Sequence, residues 1–133
     1  MQKQETLYIN SIHRLLPVGL HHEKMCNPFR RGTADVWYSG ELDLWVEYKY
    51  IVELPKKADV KFDLSPLQIK WLRERHSEGR NVAVIVGASV GGIVMKHPDI
   101  WEQPLPVFDF GLRARTKKEI AQWIVAETTI DTR

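Results

Sequence analysis

Asp43-Leu44-Trp45-Val46-Glu47-Tyr48-Lys49-Tyr50-Ile51 reads as a β-strand, because β-branched and aromatic side chains dominate it. Successive side chains on a strand point to opposite faces, so Glu47 and Lys49 share one face and lie about 7 Å apart along it. An acid and a base set among so many apolar residues need a reason, since burying charge without a partner costs several kcal/mol. A same-face or cross-strand ion pair is one such reason, and an exposed face on an edge strand is another.

Just upstream, residues 33–39 read as a second strand, joined to the first by a turn centred on Gly40. If the hairpin closes over Gly40, Glu41 and Leu42, Asp35 stands opposite Glu47, within the ~5 Å of a cross-strand pair. Two carboxylates so placed repel unless a cation lies between them. A hard divalent cation such as Mg²⁺ takes oxygen ligands from one or two carboxylates, water and substrate phosphate. Lys49, one same-face position farther on, then suits work on the attacking water and on negative charge at the phosphate. Were Asp35 to lie elsewhere, Glu47 and Lys49 would be a structural ion pair.

Farther out, Glu5 to Leu16 has Leu7, Ile12, Leu15 and Leu16 at helical spacings and is closed by Pro17, so it reads as an amphipathic helix. A short strand is expected within Leu20 to Met25, and the breakers from Asn27-Pro28 to Gly32 mark a loop. Residues 53–64 show neither period and read as an exposed excursion. Ser65-Pro66-Leu67-Gln68 is a helix start, with a serine cap, proline at the first position and glutamine three residues after the cap. That helix should run to about His76, turn Leu67, Trp71 and Leu72 to the core, and end near Gly79. Val82 to Val86 is a continuous apolar run, as expected of a strand covered on both faces, and a right-handed crossover would make it parallel to the Glu47 strand. After a turn at Gly87 to Gly92, Ile93 to Met95 reads as a further strand, and Thr116 to Glu127 as a helix with Ile120, Trp123 and Ile124 on one side.

Asp35, a hairpin and then Glu47-Tyr48-Lys49 together resemble the motif of the PD-(D/E)XK nuclease superfamily, with Ala34 where the family's name has proline. Leu64-Ser65-Pro66-Leu67-Gln68, a helix with Trp71, Gly79 and the strand from Val82 to Val86 resemble the subgroup of VRR-NUC domains and Holliday-junction resolvase-like nucleases. Trp37-Tyr38-Ser39-Gly40 and Trp45-Val46-Glu47-Tyr48-Lys49 resemble small phage-encoded members. The resemblance covers about residues 5–95 and leaves 96–133 as a C-terminal extension of the same single domain. It implies an α/β fold with a restriction-endonuclease-like mixed β-sheet flanked by helices. It further implies Asp35 and Glu47 as ligands of Mg²⁺ or Mn²⁺, the Tyr48 backbone carbonyl as another, and Lys49 as the catalytic lysine. Gln68 would approach the site from the helix start, although a capping box accounts for it equally well. Family members often add an acid from the first helix. Glu5 is the acid there and Glu23 an alternative on the next strand, and for both a plain surface charge is the competing reading.

The implied activity is endonucleolytic hydrolysis of DNA, with structured or branched DNA as substrate. The alternative is a catalytically inactive nucleic-acid-binding or recombination accessory protein on the same fold. Net charge is only +2, so charge alone does not point to DNA. The cations do cluster, and Arg30, Arg31, Lys56, Lys57, Arg73 and Arg75 are the candidates for phosphate contact, against the reading of each cluster as a solvated face. A chain of 133 residues does not easily span both strands of a duplex, which suggests a homodimer or a higher homo-oligomer for paired cuts. No apolar run reaches the ~18 residues of a membrane span. The polar start from Met1 to Thr6 and the single Cys26 agree with the cytoplasm, or the host cytoplasm for a phage-encoded protein. Gly87 to Gly92 matches no phosphate-loop spacing, and His21, His22 and Cys26 lack a second ligand pair for zinc. Among the five tryptophans, Trp45 and Trp71 are expected in the core and Trp37 or Trp101 at the surface.

Overall fold

The computed structural model describes residues 3–25 and 32–130; Cys26, Arg30 and Arg31 lie outside them. In chain order the elements are α1 (Lys3–His13), β1 (His21–Lys24), β2 (Val36–Ser39), β3 (Asp43–Tyr50), β4 (Asp59–Val60), α2 (Pro66–Ser77), β5 (Val82–Ala88), β6 (Gly91–Met95), α3 (Pro98–Trp101), β7 (Leu105–Pro106), α4 (Val107–Arg113) and α5 (Lys117–Glu127). Five strands form one mixed sheet in the order β1-β2-β3-β5-β6. β3 and β5 are parallel, in register from Trp45 opposite Val82 to Tyr50 opposite Gly87, while the other neighbours are antiparallel. The apolar run that predicts a doubly covered strand is β5, every residue of which is buried.

The alternation of β3 and β5 divides the interior into two cores. Leu44, Val46 and Tyr48 join Ala83 and Ile85 against α1 and α5, through Tyr8, Ile9, Ile12, Ile120 and Ile124. On the other face, Val82, Val84 and Val86 pack with Leu72 of α2, Trp101 of α3 and Phe110 of α4. Glu47 and Lys49 belong to this second face by parity, so the helix that follows them in sequence is the one that meets them.

Several expectations need correction. α1 ends at His13, and its buried face is Tyr8, Ile9 and Ile12; Leu7 is half exposed because it flanks that stripe on the helical wheel, and Leu15 because it lies in the turn beyond the helix. Leu67 is likewise exposed, since it sits in the first turn of α2 and the core contact falls on Leu72 one turn later. The excursion at 53–64 is tethered: Asp59 and Val60 pair with Pro106 and Leu105, and Val60 is buried. A two-residue strand whose partner is far along the chain leaves no periodicity to read. Trp101, expected at the surface, is buried between α2 and the sheet. α5 is fixed by a capping box of Thr116 and Glu119, and its end accepts a bond from Leu42 N to Thr128 O (3.1 Å), closing on the β2–β3 turn. Among the described residues, no helix is long and apolar enough to cross a membrane.

Gly87 shows how tightly β5 meets α1. A Cβ there would lie 2.3 Å from the Tyr8 ring. Gly87→Ala should therefore cost about 1–3 kcal/mol by overpacking, which is roughly 3–5 °C of Tm per kcal/mol for a chain of this size. Thermal melting checks this, and an unchanged Tm would mean that the α1 contact yields freely.

Candidate active site

β2 begins at Val36, whose partner across the hairpin is Val46, and extending that register by one position sets Asp35 opposite Glu47. Asp35 is thus the first residue beyond the ladder, and its side chain takes over a main-chain partner. Asp35 Oδ2 accepts a bond from Tyr48 N (2.9 Å), while its own carbonyl accepts one from Met25 N (2.6 Å). On β3, Trp45 N bonds to Asn81 O and Ile51 N to Gly87 O, so odd residues turn their amides toward β5. Tyr48 turns its N–H and, with it, its C=O to the opposite edge, where Asp35 stands.

Glu47 is 1% exposed. Its Oε2 accepts a bond from Gln68 Nε2 (2.9 Å) and lies 3.6 Å from Lys49 Nζ. Its other oxygen, Oε1, is buried with no hydrogen-bond partner. Lys49 Nζ donates to Gln68 Oε1 (3.2 Å), so the amide bridges acid and base. The capping and site readings of Gln68 hold together: Oε1 also accepts from Ser65 N (2.9 Å), and Gln68 N donates to Ser65 Oγ (3.1 Å). The cap fixes the helix start, and the fixed helix start aims the amide at β3. From the opposite face β3 is held by Tyr48, whose hydroxyl is 2.6 Å from that of Tyr38, itself 2.8 Å from His13 Nε2.

Burial governs the electrostatics. Desolvation, reinforced by the charge of Asp35, pushes the Glu47 carboxyl up to about 9. Burial also raises Asp35, against the opposing effects of the Tyr48 N–H, of a hydrogen bond from the protonated Glu47 carboxyl and of Lys49. Glu5, in the first turn of α1, is half-buried and raised to about 7, first by desolvation and then by Asp35. Of the two candidate extra acids, Glu5 is therefore the one brought within the field of the cluster. Glu23 points elsewhere and pairs with the exposed His21 (2.9 Å).

The donor set suits a hard divalent cation: two carboxylates, one with an orphaned buried oxygen, beside a main-chain carbonyl edge. Among the described residues no group of three His, Cys, Asp or Glu converges, so Asp35 and Glu47 would be the side-chain ligands. The basic candidates do not gather here. Arg73 and Arg75 leave α2 on different sides: Arg73 is held by Glu102, whereas Arg75 Nε lies 2.9 Å from Glu78 Oε1 and its guanidinium stands over the Trp71 ring. Lys56 and Lys57 are exposed in the β3–β4 connection. Arg75, Arg80 and Lys96 line a groove beside the cluster; Lys96, a single cation on its own element, shows no clustering along the chain.

No protein-family model matches the sequence. None of the curated proteins matches it either. Among solved structures the chain is similar to the Holliday junction resolvase Hjc of the archaeal hyperthermophile Archaeoglobus fulgidus, with a TM-score of 0.56 at 15% identity over 92% of this chain and 99% of that one. The mixed α/β architecture, a five-stranded sheet flanked by helices, is thus that of a resolvase-type nuclease fold.

Raised acids carry a definite sign in stability. The folded chain holds protons on Glu47 and Glu5 that the unfolded chain releases from the ordinary value of 4.5 upward, so their contribution is full below that pH and is lost as pH rises through about 7 for Glu5 and about 9 for Glu47. Without divalent metal, Glu47→Gln should gain on the parent between pH 5 and pH 9, by up to about 1.4 kcal/mol per unit. Denaturant melts in chelator across that range test it. A difference independent of pH would place Glu47 in an ordinary carboxylate environment.

Proposed function

We propose that the chain is a Mg²⁺- or Mn²⁺-dependent endonuclease that hydrolyses DNA phosphodiester bonds, with structured or branched DNA as substrate. The observation that carries this reading is the buried Glu47, set opposite Asp35 and bridged by Gln68 to Lys49, with one carboxylate oxygen left unpartnered. A structural ion pair would need neither Asp35 in that register nor a free oxygen. The fold shared with a protein described as a Holliday junction resolvase supports both the chemistry and the branched substrate.

Asp35 and Glu47 would hold the cation, with the Tyr48 carbonyl as a further ligand. When bound, the cation supplies Lewis acidity at the phosphate and a water acidic enough to attack near neutral pH. Lys49 keeps its ammonium on the same face as Glu47, where it holds the attacking water and offsets charge that builds on the phosphate. Gln68 is a positioning residue. It donates to Glu47 Oε2 and not to Oε1, which orients the carboxyl that would bind the cation, and by accepting from Lys49 it fixes the ammonium. Glu5, across from Asp35, adds negative charge that favours the cation once ionised. Paired cuts in two strands would take two copies of so small a chain.

Asp35→Asn and Glu47→Gln should each lose Mn²⁺ binding and cleavage, since the amide removes the charge that holds the ion. Lys49→Ala should keep Mn²⁺ but lose roughly 10²–10³ in rate. Calorimetric titration, with cleavage of linear, single-stranded, flap and four-way-junction DNA in Mg²⁺ and Mn²⁺, tests all three. Parental cleavage by the two amide variants would refute the site.

Because Glu47 is protonated at pH 7 without metal and must ionise to bind it, Mn²⁺ uptake should release about one proton. Titrations in buffers of different ionisation heat measure it. No release at pH 7 would mean that Glu47 is already charged or does not bind the ion.

A further inference from the structure

On the sheet face that carries Glu47, α2 stands over β5, and among the described residues no helix packs over β1 and β2, where His21 and Glu23 are exposed. Trp37 and Trp45 stack there, their ring centroids 5.9 Å apart, and Trp71 of α2 meets Trp45 edge-on at 5.7 Å. Trp45 and Trp71 line a groove of about 1210 Å³ that begins at Met25 and Thr33, beside Asp35, and reaches Arg80 at the end of α2. Trp45 is the same-face neighbour of Glu47 on β3, about 7 Å away. The volume exceeds the ~300–1,000 Å³ of a small-molecule pocket, so an extended occupant fits better.

Charge selects the occupant. Three cations line the groove, Arg75, Arg80 and Lys96, against two carboxylates, Asp43 and Glu127, and Glu127 is paired with Lys96 (3.2 Å); Lys24, at its rim, turns its ammonium to Asn10 Oδ1 on the α1 side of the sheet. Arg75 is held by Glu78 5.7 Å from the Trp71 ring centre, where it forms a cationic wall against the indole. Indole faces framed by cations match unpaired nucleotides, whose base faces are free and whose backbone is anionic. Bases inside a duplex have both faces covered by their neighbours, so a duplex gains nothing from these rings.

We propose that this groove binds an unpaired stretch of the DNA strand next to the scissile phosphate, with bases against Trp45 and Trp71 and phosphates toward Arg75 and Arg80. The chain would thereby select DNA with single-stranded character at the cut, such as an opened junction or a flap. The proposal rests on the nuclease reading for its position beside the cut, but its test is free of catalysis.

In chelator, tryptophan quenching and fluorescence anisotropy compare a short oligo(dT) with a blunt hairpin duplex on the full chain. The parent should quench on oligo(dT) and prefer it to the duplex. Trp71→Ala should weaken oligo(dT) binding roughly tenfold to a hundredfold, with Trp71→Phe recovering most of it. Arg80→Glu, on an exposed residue that does not threaten the fold, should weaken it too and flatten the salt dependence by about one unit of slope. Parental affinity in both Trp71→Ala and Arg80→Glu, or a parent that binds the duplex as tightly as oligo(dT), would overturn the groove. Loss of affinity in these variants of a chain that cuts no DNA supports the groove and removes only the nuclease reading.

Discussion

A carboxylate on the inner strands of a sheet has to be protonated, paired or bound to a cation, because water no longer solvates it. Glu47 meets that constraint in the centre of the molecule, and much of the surrounding structure is arranged about it. Lys49 is too far to form a close pair and is reached through Gln68 instead. Asp35 relieves the buried acid only while Glu47 keeps its proton, through a hydrogen bond between the two carboxyls, and adds a second negative charge once Glu47 ionises. Gln68 satisfies only one of the two oxygens, so the arrangement is most costly when both acids are ionised without metal. That cost is tolerated because the rest of β3 is held on every side, by β2, by β5 and by the Tyr48–Tyr38–His13 hydrogen bonds beneath it.

The cluster also depends on where a strand stops. Asp35 precedes the first residue of β2, so its backbone leaves the ladder and its carboxylate bonds to Tyr48 N in place of a main-chain carbonyl. Regular pairing carried back to Ala34, which this register sets opposite Tyr48, would give that amide a backbone partner and leave Asp35 without its anchor. At the other end of the crossover, the capping box of α2 does two things with one side chain. A glutamine is at home in a capping box, and the parallel β3–α2–β5 crossover carries it over Glu47 and Lys49.

The same crossover explains the groove. α2 lies over β5 and, among the described residues, no helix covers β1 and β2, and that edge is where the three tryptophans meet. An aromatic cluster at the rim of a helix is commonly ordinary packing. Here it adjoins the acidic cluster and has cations along its walls, which together give it a chemical direction.

Local rules account for what was legible in the sequence. Strand alternation puts Glu47 and Lys49 on one face; the hairpin length sets Asp35 opposite Glu47; serine, proline and glutamine start α2; and an unbroken apolar run can only be a strand covered on both sides. These features depend on neighbours a few residues apart, so their spacing encodes them. What lay beyond reach depended on distant segments. Val60 pairs with Leu105, Trp101 is buried under α2, and Ile120 and Ile124 of α5 complete the core around α1. Glu5 and Glu23 were equivalent as acids in a sequence, and only the docking of α1 against β3 brought Glu5 into the field of Asp35. Arg73 and Arg75 looked like one basic cluster, yet a helix turns by about 100° per residue and sends them to different partners. Which face a side chain shares follows from chain geometry, whereas which surface it meets is decided by packing between segments whose separation leaves no trace in local spacing.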